Sequence, residues 1–209
     1  MDEIDWSDVP GRVAALGGRD ARVFGALGHG WTLEPPLSEV ELTELEAQLG
    51  VELPAEYRSF LRQVSRGGAG PFYGLFPVRR VDGRWEWTGD CAGLVDPAAL
   101  ATPFPHTEEF NPAEALPEQP EDDDEAEEAW WELHDRVVFA PANHAGLLHL
   151  AHRGCALREA LVISGPARGQ MWADETADDE GFSPLLDDSG ERIGFARWYR
   201  KWLDTADHR

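Results

Sequence analysis

The amino-acid sequence predicts an α+β domain in which helices pack on one antiparallel-rich sheet. Three observations carry that reading. Two short amphipathic helices, each with its own start and stop signals, lie between Pro36 and Gly68. Short apolar runs separated by turn dipeptides fill the second half, the pattern of an antiparallel meander. The chain then closes on an aromatic stretch at helical spacing, FARWYRKWLD.

The first helix is announced by Ser38, three residues before Glu41, the pair that satisfies two orphan N–H groups reciprocally. Leu42, Leu45 and Leu49 follow at helical spacing, with Glu39, Glu44 and Glu46 on the wet side. Gly50 is a stop, because glycine enters the left-handed conformation without a steric penalty. Pro54 suits the first position of the second helix, where its missing N–H is not needed. Tyr57, Phe60, Leu61 and Val64 make one apolar stripe on it, and Gly67-Gly68 ends it. Gly70-Pro71 turns the chain, and residues 72–76 read as an apolar, aromatic strand.

Residues 1–36 read as a helical lead-in packed on the main domain. Asp5, Trp6, Val9, Val13 and Leu16 give a short amphipathic pattern, weakened by Pro10-Gly11. Residues 22–27 fit a helix or a strand equally well. Further on, Asp82-Gly83 is a hairpin turn dipeptide. Trp85 and Trp87 alternate after it and share one strand face, which is either core or an exposed aromatic anchor; core is the commoner fate.

Residues 108–135 hold 13 acids and no Lys or Arg. The middle of this insert, EQPEDDDEAEE, lacks the apolar surface to order itself, so residues 118–128 are expected to be a mobile loop. Its end, EAEEAWWELHD at residues 125–135, fits a passage into a short helix, with Trp130, Trp131 and Leu133 docking on the body. Residues 136–140 (RVVFA), 147–151, 161–164 and 169–173 read as strands, and residues 174–181 as an acidic loop.

The formal net charge is −22, from 40 acids against 18 bases. Such a chain repels phosphate backbones and anionic membrane surfaces, so neither nucleic acid nor membrane is an expected partner. No run of about 18 apolar residues exists. The N-terminus lacks an apolar signal core, which gives the cytoplasm as the expected location. Cys91 and Cys155 stand alone, outside any metal or disulfide spacing, and read as free thiols.

Chemistry is hard to find in the chain. His144, His149 and His152 fall close together, but on a strand His149 and His152 are an odd number apart and point to opposite faces. No metal site is expected from them, and no cofactor. Gly67, Gly68 and Gly70 follow a helix and precede a strand, the reverse of a phosphate-binding order. No serine elbow occurs, and Cys155 reads as structural. Asp174, Glu175, Asp178, Asp179 and Glu180 lack the spacing of a calcium loop and read as solvated.

The ordered pieces ELEAQLG, LPAEYRSFL, GGAGPFYGLFP and GPARGQMW resemble the SUKH superfamily, the Smi/Knr-like domains. The resemblance runs from Leu37 to residue 209, with an acidic insert at about residues 108–135. It implies a SUKH-like fold with helices on a single sheet and a protein that binds rather than catalyses. Bacterial members are mostly immunity proteins that neutralise toxins of polymorphic and contact-dependent systems; fungal members are regulators and scaffolds. The family pattern tends to show Gly-Cys-Gly near Cys155, and Ala156 replaces the second glycine here. The expectation is therefore an intracellular immunity protein that occludes a toxin's active site, with a Smi/Knr-type scaffold as the alternative. A chain this acidic implies a basic toxin, such as a nuclease or another enzyme acting on nucleic acid. The candidate partner-binding residues are Asp122, Asp123, Asp124, Glu125, Glu127 and Glu128, then Trp85 and Trp87, then Asp174, Asp178 and Asp179.

Overall fold

A computed structural model describes residues 4–19, 21–90, 94–121 and 123–208. Helix α1 (Val9–Gly18) opens the fold, with Pro10 in its first turn, where a proline fits without loss. Val9, Val13 and Leu16 are buried, and Trp6 just before them sits edge-on to Phe60, Phe195 and Tyr199. The undecided stretch after Arg22 ends in α2 (Ala26–His29), a single turn between two left-handed glycines.

Helix α3 (Glu39–Leu49) starts on the reciprocal Ser38–Glu41 cap and stops at Gly50, φ +69°. Helix α4 (Ala55–Gln63) follows, its N-cap at Pro54, with Tyr57, Phe60 and Leu61 buried. Arg58 donates to both Glu39 and Glu46, which locks the two helices together. The loop after α4 runs close to residues 31–33. Gly68 lies at φ +106°, and a Cβ there would collide with the Thr32 carbonyl, so only glycine permits this approach.

Residues 72–76 do not form the expected ladder strand. Phe72 and Gly74 both have positive φ, which turns the chain, and pairing with the strand Leu147–Gly154 is reduced to a bridge at Leu75 and single hydrogen bonds from the Tyr73 and Phe76 N–H groups. Strands β1 (Val78–Val81) and β2 (Arg84–Trp87) make the hairpin on Asp82-Gly83, with Val81 opposite Arg84. The side-chain amide of Gln48 on α3 brackets this hairpin: it donates to the Trp85 carbonyl at 2.7 Å and accepts from the Trp85 N–H at 2.8 Å.

The acidic insert holds α5 (Asp124–Val138), which corrects two expectations. The run from Asp124 onward is helical rather than a loop. Its acids crowd the first turns, where the helix dipole favours negative charge, and Asp123 caps the end by accepting from the Ala126 N–H at 3.1 Å. The RVVFA run is the end of the same helix rather than a strand. Trp130, His134 and Val138 recur at four-residue spacing, and that period overrides the β-branched pair. Asn143 then caps the last turn, donating to the Val137 and Val138 carbonyls at 3.0 Å each.

The main sheet is the antiparallel meander β3 (Leu147–Gly154), β4 (Leu157–Val162), β5 (Met171–Glu175) and β6 (Gly181–Pro184), in that order. The stretch expected as an acidic loop therefore contributes the end of β5 and the start of β6. Leu75 bridges Ala151, and the Phe76 N–H donates to the Leu150 carbonyl at 2.8 Å, so the outer edge of β3 is covered. The β3–β4 turn places Cys155 at φ +51° and Ala156 at φ +61°, so it forms left-handed without the second glycine. Helix α6 (Phe195–Asp207) closes the described fold with Phe195, Trp198, Tyr199 and Leu203 buried.

The two faces of the sheet carry different cores. Leu148, Leu150, Leu161 and Met171 meet α1, α3, α4 and α6 in the large aromatic core. Leu147, Ala160, Val162, Trp172 and Phe182 form a smaller core closed by Phe104 and Phe110 from the long connection.

Candidate partner-binding surfaces

Asp123, Asp124, Glu125, Glu127, Glu128 and Glu132 are all exposed on α5 or at its cap. Among the described residues none of the six pairs with a Lys or Arg. On α3 and just before it carboxylates are matched: Glu34 by Arg66 and Arg79, Glu44 by Arg80, Glu39 and Glu46 by Arg58. The fields of the α5 acids therefore point into solvent uncompensated. Asp122, the remaining candidate of this run, lies outside the described residues.

The aromatic of this face is Trp131, which is 43% exposed. Its ring lies 4.9 Å from that of Trp130, whose Nε1 donates to the Pro117 carbonyl at 2.8 Å. Expected to dock on the body, Trp131 instead faces water. Trp85 and Trp87 are 2% and 3% exposed, and Trp87 Nε1 donates to Tyr57 Oη at 3.2 Å. They belong to the core, the commoner fate of such a face, and present no anchor.

The second acidic group divides. Asp178 and Asp179 are exposed, and Asp179 Oδ1 lies 2.7 Å from His134 Nε2, which ties α5 to the turn after β5. Burial works against charging His134, but its hydrogen bonds to Asp179 and Asp135 raise its pKa above the ordinary histidine range. Asp174, expected in a solvated loop, is 2% exposed on β5. It takes hydrogen bonds from His149 at 2.7 Å and from the Thr176 hydroxyl at 2.7 Å. Burial alone would raise its pKa; those bonds and the neighbouring imidazole outweigh burial and hold it at about 2.

A second surface is an apolar cleft of about 480 Å³, lined by Phe24, Phe72, Leu186, Ile193, Trp198 and Trp202, among others. Glu159 of β4 lines it too and accepts from Trp198 Nε1. Burial pushes the Glu159 carboxyl up to about 7, against the pull of that bond and of Arg153. Sequence reading missed this cleft. Glu159 falls in an ordinary strand pattern, and Phe24 in a stretch with no clear period.

No helix among the described residues is long and apolar enough to cross a membrane. Helices packed on an antiparallel meander, with a covered β3 edge and a closing aromatic helix, define an α+β domain of the SUKH type. The family described as SMI1 / KNR4 (SUKH-1) matches residues 36–156, more than half of the 209, and the chain belongs to that family. Members of the family commonly serve as immunity proteins. No curated protein and no solved structure matches the chain.

Proposed function

We propose that this chain is a cytoplasmic immunity protein that binds a basic protein toxin and occludes its active site, without catalysis of its own. Family membership supplies the class. The observation that carries the rest is α5, with six unpaired acids around an exposed tryptophan. Complementary charge speeds encounter, and the aromatic, once desolvated in the complex, slows departure. Surface fields of this kind fade beyond roughly 8 Å at physiological salt, so steering depends on ionic strength while the aromatic contact does not. An enzyme acting on nucleic acid is the fitting class of toxin, because its substrate channel is itself basic.

The apolar cleft favours a second reading, a scaffold that captures an apolar segment with a basic group against Glu159. One experiment separates the two. The chain is co-expressed with the protein encoded in the neighbouring reading frame, and association is followed across a salt series. Converting Asp124, Glu125, Glu127 and Glu128 to their amides should slow association roughly 10-fold at low salt. Growth protection should fall, with the melting temperature nearly unchanged. Unaltered rate and protection would remove the steering account. Exchange protection that maps to Phe24 and Trp202 rather than α5 would favour the scaffold.

A further inference from the structure

His144, His149 and Asp174 come from three elements: the turn Pro141–His144, β3 and β5. Each presents a ligand atom, and the three atoms lie within 4.8 Å of one another. Asp174 Oδ2 is 2.7 Å from His149 Nε2 and 3.7 Å from His144 Nδ1. We propose that these three residues form a binding site for a divalent first-row transition ion, Zn²⁺ by chemical preference, with a fourth position left to water.

The donor set suits such an ion. Two imidazoles and one carboxylate are borderline ligands that Zn²⁺ takes at about 2.0–2.2 Å. Ligand atoms around a tetrahedral ion then stand a little over 3 Å apart, so small side-chain shifts convert the observed spacings. With the ion on Nε2, the His149 proton passes from that nitrogen to Nδ1, so the ring remains a neutral ligand.

The site is held from outside. Thr176 donates to the far oxygen of Asp174, through its N–H at 3.2 Å and its hydroxyl at 2.7 Å. Such outer bonds orient a ligating carboxylate. Asn143 anchors the turn that carries His144 to the end of α5. Ala160 stands between His149 and Trp172 in register, and its methyl leaves room for the imidazole to lean toward Asp174. The His144 side chain is 23% exposed and gives the ion a way in.

His149 is buried, and its Nδ1 has no hydrogen-bond partner among the described residues. An ion on Nε2 leaves that second nitrogen where it is, so the proposal stands on the convergence of the three ligand atoms. One group opposes the site. Arg158 pairs with Asp174 in register, and its charge acts on His144.

His152 does not join. The register shift between His149 and Ala151 sets His149 opposite Ala160 and His152 opposite Arg158, residues two apart on β4. Both histidines therefore face the same side, against simple alternation. The His152 ring stacks on Tyr73 instead, 5.6 Å between centroids.

The test uses the isolated full chain, dialysed free of metal, and so stands apart from any toxin experiment. Co²⁺ should bind one-to-one and give the visible bands of a tetrahedral site, and Zn²⁺ should displace it and raise the melting temperature. His144→Ala removes a partly exposed ligand, so it should fold normally while losing the bands and more than about 100-fold in affinity, exceeding the effect of losing an outer-shell partner. Arg158→Gln should tighten binding severalfold. Zn²⁺ should also slow amide exchange at residues 141–146, where the ion pins the root of α5 to the sheet. Equal affinity in wild type and His144→Ala would place the ion on surface acids and overturn the proposal. So would the absence of saturable binding, which would leave a hydrogen-bonded triad and nothing more.

Discussion

The α3–α4 pair and α5 are both rich in acids, and they use them in opposite ways. On α3, Glu46 accepts from the Leu53 N–H and from Arg58, and Glu39 from Arg58 as well, so these carboxylates hold two helices and the turn between them. On α5 the acids meet no arginine, their longest reach being from Glu127 to the Gln119 amide at 3.4 Å, and the helix itself buries only His134 and Val138. Charge is structural where arginine meets it and available to a partner where it does not. A net charge of −22 alone could not make that distinction.

The sharpest way to break the comparison is through burial. Phe60 on α4 is fully buried against Trp6, Phe195 and Tyr199, so Phe60→Ala should cost about 3–5 kcal/mol in chemical denaturation. Trp131→Ala, on the exposed helix, should cost less than about 1 kcal/mol. Near-equal losses would mean that α5 is as deeply built into the fold as α4.

A charge comparison comes next in size. Glu46→Ala strands the Leu53 N–H and removes one of the two carboxylates that Arg58 meets, and should cost about 1–2 kcal/mol. Glu127→Ala or Glu128→Ala should stay within about 0.5 kcal/mol. A loss at Glu127 matching that at Glu46 would show that the α5 acids are structural after all.

The smallest expected effect concerns pH. His134 titrates higher in the fold than in an unfolded chain, so folding favours its protonated form. The His134–Asp179 tether is therefore at full strength below about pH 6.5, the unfolded value, and is lost as pH rises through the folded one. Amide exchange within α5, corrected for its intrinsic pH dependence, should accelerate across that window while α3 and α4 stay flat. His134→Gln should abolish the step. A flat α5 profile in the unmodified chain would show that the tether contributes nothing.

How far the sequence could be read follows the same division. Helices α3 and α4 were legible because every signal is local: a reciprocal cap, leucines three and four residues apart, a left-handed glycine. The Asp82-Gly83 hairpin and the meander were legible for the same reason. Helix α5 was legible only in part: residues 125–135 read as a short helix, but the charge density of the run argues for disorder up to residue 128, whereas acids at a helix start are favourable and its apolar contacts come only later, at Trp130, His134 and Val138. Of the two fates open to Trp85 and Trp87, core is the one observed, and it depends on α3 and α4 arriving from elsewhere in the chain; the exposure of Trp131, expected to dock on the body, had no local signal. The cluster at His144, His149 and Asp174 was illegible. It joins three elements, and the slip in register within β3 has no mark in the sequence.

Trp6 has a consequence for how the chain is made. It is the first fully buried side chain of the described fold, and two of its ring partners, Phe195 and Tyr199, lie on the last helix described. A nascent chain emerging from the ribosome cannot complete this cluster until α6 has left the exit tunnel. Until then Trp6 and the apolar stripe of α4 are exposed, the condition in which partly made domains attract chaperones or one another. Emergence of α6, rather than of the first half of the fold, is the step that commits this fold.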